Sequence, residues 1–108
     1  MSEYTPDVWV IVKITDVKNS TCIYKVLAGW HGGFAGADSW QLNSGITRIE
    51  DMGNYYDFYG SSGSVYSCAK HSERMSTLTW SKLQYFNSDP STALVEVVPV
   101  EEAIKILS

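Results

Sequence analysis

Two cysteines and two histidines are the residues of this 108-residue chain best equipped for metal or nucleophilic chemistry. Cys68 and His71 stand three apart, a spacing that could bring a thiolate and an imidazole to one zinc ion, but Cys22 and His31 do not complete a finger pattern. No metal site is expected. The same Cys68–His71 pair would serve as nucleophile and base only with a partly exposed, thiolate-favouring Cys68. Cys68 instead closes an alternating strand, so it and Cys22 are expected to be reduced, buried and structural. Glu50-Asp51 and Glu101-Glu102 are paired acids, yet sequence neighbours diverge on a strand and on a helix. They read as solvated turn and helix-start charges, not as a carboxylate dyad. No catalytic residue is assigned, and neither an enzyme nor a cofactor is expected.

Residues that could hold a ligand are more numerous. Gly29–Ser39, GWHGGFAGADS, carries four of the eight glycines and is expected to be a loop. It is either pinned to a sheet by its own Trp30 and Phe34 or forms the wall of a binding site. In the second case Gly32 and Gly33 would offer backbone N–H groups as an anion nest beside Trp30 and His31. The GxGxxG and Walker patterns are both absent from it.

The elements that must position these groups are mostly strands. Trp40–Cys68 reads as the frame on which the rest packs: Asp51-Met52-Gly53-Asn54 joins Ile46–Glu50 to Tyr55–Tyr59, and Gly60–Gly63 joins the latter to Ser64–Cys68. Within it Tyr55, Asp57 and Tyr59 face one way, and Tyr56 and Phe58 the other. Aromatics on both faces predict a second cover, by an element, a ligand or a second subunit, and hence a homodimer. Asp7–Thr15 alternates most cleanly and pairs with Thr21–Ala28. Further strands are placed near 40–43 and 92–98. Ser76–Phe86 reads as a helix with Ser76 as its cap and Met75, Leu78, Leu83 and Phe86 as its stripe, although Thr77, Thr79, Trp80 and Tyr85 favour a strand. Pro99, Glu101 and Glu102 open a final helix with Ala103, Ile104 and Leu107 on its apolar side. The expected fold is a single mainly β (α+β) domain over residues 1–108: an antiparallel meander sheet or small barrel with one or two short helices, one of them C-terminal.

Composition narrows the partners. Apolar residues at 44% exclude disorder, and with charged residues at only 19% the surface must be largely uncharged and aromatic. The net charge is −4, and Arg48 is the only Lys or Arg between Lys25 and Lys70, so no basic stripe is available for a DNA or RNA duplex. The opening MSEYTPDVWV has acids where a signal peptide would be basic, and no apolar run approaches roughly 18 residues. A cytoplasmic protein without a membrane segment is expected.

YKVLAGW at Tyr24–Trp30, DSWQLNSGI at Asp38–Ile46 and YGSSGSVYSC at Tyr59–Cys68 resemble recurring blocks of uncharacterised small proteins encoded by tailed phages and prophages. The resemblance covers about the central half of the chain. It implies a host-cell cytoplasm and small proteins that act by binding. Two functions follow as expectations. The first is an anti-defence sponge that sequesters a nucleotide-derived signal: Trp30, Trp40, Tyr59 and Tyr66 would stack the base, Gly32, Gly33, Arg48 and Arg74 would meet phosphates, and His31, Asn43 and Ser64 would add polar contacts. The second is an inhibitor of a host protein that binds through an aromatic surface patch.

Overall fold

The computed structural model describes residues 3–32, 37–88 and 91–107. In chain order the elements are β1 (Glu3–Tyr4), β2 (Val8–Asp16), β3 (Thr21–Trp30), β4 (Ser39–Leu42), β5 (Ile46–Asp51), β6 (Tyr55–Gly60), β7 (Val65–Ala69), α1 (Thr77–Phe86), β8 (Ala93–Val98) and α2 (Val100–Leu107). They form two four-stranded sheets, ordered β1-β7-β6-β5 and β4-β3-β2-β8. The fold is mainly β with two helices, and neither sheet closes into a barrel.

Each expected strand lies within two residues of an observed one, and β5-β6-β7 is the expected meander. Its second turn carries Gly63 at φ +93°, the left-handed position that the two-glycine connection required. The expected frame is nevertheless split. Trp40 belongs to β4, which pairs with β3 in the other sheet, and the chain is buried on both faces over residues 8–12 of β2 and 26–29 of β3. Val8, Trp9, Val10, Ile11 and Val12 are all buried, because β2 lies between β3 and β8 and is covered above and below.

Below β2, Trp9, Ile11, Tyr24, Val26 and Ala28 meet Ile46, Phe58, Tyr66 and Cys68 of the facing sheet, with Val100 and Ala103 of α2. Above it, Val10, Val12, Leu27 and Val95 meet Leu83, and Met75, Leu42 and Phe86 pack against them. The layers are therefore sheet, sheet and α1, with α2 joined to the inter-sheet core. Trp9 ties the sheets by donating its indole N–H to the Ala69 carbonyl at 2.7 Å.

Ser76 caps α1 as expected, accepting the Thr79 N–H at 3.2 Å while the Thr79 hydroxyl accepts the Ser76 N–H at 2.8 Å. Strand β3 runs on through Gly29 and Trp30, so the loop is shorter than Gly29–Ser39. Gly29 is needed in a central strand because a Cβ there would lie 2.9 Å from Thr79 Cγ2 and 3.1 Å from Val8 Cγ2. The missing side chain lets the first turn of α1 settle on the sheet. Gly33 and Phe34 lie outside the described residues.

Candidate functional site: an aromatic helix face beside an edge strand

Of the eleven residues singled out as ligand-binding, the ten that the structure describes do not meet in one place. Tyr66 is buried between the sheets, and Tyr4 stacks on it at 4.7 Å while meeting the Trp30 ring edge-on at 6.2 Å. Trp30 spends its indole N–H on the Thr5 carbonyl. Asn43 is also buried. Its backbone N–H donates to the Val26 carbonyl at 3.0 Å and its side-chain oxygen accepts the Val26 N–H at 2.8 Å, so it finishes the β3–β4 ladder where the chain turns away.

The expected anion nest is answered from within the protein. The His31 N–H donates to Asp7 and the Gly32 N–H to Asp38, whose carboxylate also lies 3.7 Å from His31 Nδ1. Gly33, the other half of that nest, lies outside the described residues. On the outer face of the meander the Arg48 guanidinium covers the Tyr59 ring at 4.6 Å, and both side chains engage Glu50. These contacts hold the Glu50 carboxyl below its usual range, the Tyr59 hydroxyl contributing most, and the bond to Glu50 in turn raises the Tyr59 phenol against the opposing Arg48 charge. With Ser67 donating to Asp57, this face is a polar network that covers its own aromatic ring. Ser64 pairs with Ser62 in the turn before β7, and among the described residues Arg74 reaches the His71 carbonyl alone.

The cysteines differ from each other. Cys68 is buried, and burial pushes its thiol well up, away from nucleophilic character. Cys22 corrects the expectation of two buried thiols: it is exposed on β3 near the hairpin tip, where it lines a groove with Tyr24 at the end of the inter-sheet core. Among the described residues no group of three or more His, Cys, Asp or Glu is placed to hold a metal.

A groove of about 850 Å³ is lined by Ile14, Asp16, Val17, Thr21, Ile23 and Ala93 among others. A second, about 330 Å³, lies among Cys22, Tyr24, Ser44, Ser61 and Leu107. Neither contains any of the residues expected to stack a base or meet a phosphate.

What the structure does assemble is an aromatic surface on α1. Thr79 and Leu83 are buried, whereas Trp80 is 54% and Tyr85 72% exposed on the outward side, with Thr77, Ser81 and Gln84 around them. No charged residue stands among these five. The outer side thus sets two large exposed rings among uncharged polar groups, a composition suited to a contact surface. The surface continues onto β4. Phe86 meets Tyr85 edge-on at 6.2 Å and Trp40 at 5.6 Å, and Lys82 Nζ stands 5.4 Å over the Trp40 ring. Of these residues only Trp40 belonged to the expected site. The signal for the rest was in the sequence: Trp80 and Tyr85 do not fit the Met75, Leu78, Leu83 and Phe86 stripe. Large rings off the inward stripe must face outward.

Compared with known protein families, curated proteins and solved structures, the chain matches none.

Proposed function

We propose that the protein acts by binding another protein through the outer face of α1 and the adjoining Trp40, without chemistry. The exposed, uncharged Trp80–Tyr85 face carries this reading. Trp and Tyr supply large contact area at low entropic cost and dominate interface energetics when a partner desolvates them. Lys82 at the rim adds one cation suited to an acidic group on the partner. On the resemblance to small phage and prophage proteins, the partner is a host protein and the outcome its inhibition. A nucleotide sponge has less support, because its stacking and phosphate groups lie on separate surfaces and two of its residues are buried.

Photo-crosslinking in producing cells tests the reading. A photoreactive residue at Tyr85 or Trp80 is expected to capture one discrete protein band that the same residue at Lys18, at the far hairpin tip, does not. Equal capture from all three positions, or a native mass spectrum showing a retained nucleotide and no protein, would overturn it.

A further inference from the structure

We infer that the free edge of β4 receives an extended peptide segment of the partner, which adds a strand to the β4-β3-β2-β8 sheet. This rests on the protein-binding reading of the same surface and specifies how the partner is held.

The inference comes from how the four sheet edges are treated. Unpaired strand edges invite pairing with other chains, and proteins usually guard them. At β8, the Asn87 side chain donates to the Val95 carbonyl at 2.7 Å and accepts the Val95 N–H at 2.9 Å, occupying the edge at its middle. At β5, the register shifts between Ile46 and Arg48 and α2 packs alongside. At β1, the strand is only two residues long. Among the described residues β4 has no such guard: Ser39, Trp40 and Gln41 are exposed and Leu42 is half-buried.

Its hydrogen-bonding groups point the right way. Antiparallel neighbours alternate between bonding to one side and to the other. Asn43 bonds to Val26, so Gln41 and Ser39 also face β3, opposite Ala28 and Trp30. Trp40 and Leu42 therefore turn their N–H and C=O groups outward, and among the described residues these groups have no hydrogen-bond partner. Only another extended backbone offers donors and acceptors at that repeat, which is the basis of recognition by strand addition. Its side chains on the α1 side would meet Trp40, Phe86 and Lys82, favouring an apolar residue flanked by an acidic one.

The test uses the intact protein, isotope-labelled, with acetyl-Thr-Val-Thr-Glu-Thr-Val-amide as the probe, whose Val and Glu side chains share one face. Slowed hydrogen exchange and shifted resonances are expected at the Trp40 and Leu42 amides. Leu42→Pro and Trp40→Pro remove an outward N–H together with the side chain, as proline is tolerated on an edge, and each is expected to weaken the probe about tenfold relative to the Ala variant at the same position. Trp40→Ala keeps the N–H and separates the ring's contribution from the edge's. Probe peptides N-methylated at alternate amides leave the protein unaltered: one set is expected to lose binding and the other to keep it.

Equal binding of both N-methylated sets, or no protection at Trp40 and Leu42 at millimolar probe, overturns the inference. Protection that grows with protein concentration alone overturns it too, because the occupant would then be a second copy. If the Tyr85 crosslink forms in Leu42→Pro with the same yield as in Leu42→Ala, the helix-face reading stands and the edge inference falls.

Discussion

The side-chain amide of Asn87 forms two hydrogen bonds with the backbone of Val95, one in each direction, and so stands where a ninth strand would. Asn87 is also the C-cap of α1, its N–H reaching the Leu83 and Gln84 carbonyls. One residue therefore ends the helix and guards the β8 edge. Asn87→Ala is expected to cost roughly 1–3 kcal/mol, because two backbone groups lose their partners. Urea denaturation measures the loss, and light scattering is expected to show faster aggregation than a surface control such as Ser81→Ala.

Gly29 and Thr79 give a second prediction. A Cβ at Gly29 would press on Thr79 Cγ2, so Gly29→Ala is expected to destabilise by roughly 1–3 kcal/mol. Thr79→Ser removes that methyl and keeps the hydroxyl that accepts the Ser76 N–H. In the double variant most of the cost should be recovered, and a double-mutant cycle in urea measures the coupling. Independent, additive losses would mean that the sheet, not α1, resists the methyl.

The contrast between Ser76 and Asn87 shows what the sequence could tell. Ser76 caps through Thr79, three residues on, and strands such as Val8–Asp16 declare themselves by alternation, so both are legible locally. Asn87 acts on Val95 across a chain reversal, and Glu73 accepts the Val100 N–H at 3.0 Å from another connection. The pairing of Glu3 with Val65 and Tyr4 with Tyr66 joins residues far apart in the chain. No local pattern encodes such contacts. The aromatic residues were misassigned for the same reason: Tyr66 and Tyr85 are alike in composition, and only the tertiary arrangement buries the first and exposes the second. Asn43 is expected at a ligand because its uncharged amide could meet a nucleotide's polar edge, whereas its oxygen in fact serves the Val26 N–H at the end of the ladder.

Alkaline pH should expose the buried phenols. Burial pushes Tyr24 and Tyr66 from 10.0 up to about 12, and at Tyr24 the hydrogen bond to Glu102 adds to the effect. Their neutral forms are favoured in the folded state, so the native protein binds more protons than the unfolded chain between these values. The stability they contribute is full below pH 10 and is lost as pH rises toward about 12. Urea midpoints measured across that range should fall. Tyr24→Phe should show a shallower fall than the parent, since it removes one of the two phenols. An unchanged slope would mean that Tyr24 ionises freely in the folded protein.

The anion nest leads to the last prediction. Asp38 accepts the Gly32 N–H and faces His31, and Asp7 accepts the His31 N–H, so the protein's own carboxylates take the place an external phosphate would need. A carboxylate in that position also repels incoming anions. The parent protein is expected to bind neither inorganic phosphate nor a cyclic dinucleotide here. Asp38→Ala removes one carboxylate and frees the Gly32 N–H, and combining it with Asp7→Ala frees the His31 N–H as well. In that double variant, phosphate added in the millimolar range should shift the His31 and Gly32 amide resonances, with an effect that weakens at high salt because it is electrostatic. If the parent already shows those shifts, an external anion competes with Asp38 and the nucleotide reading regains its phosphate site. If the double variant shows none, the backbone at Gly32 is held for the turn alone.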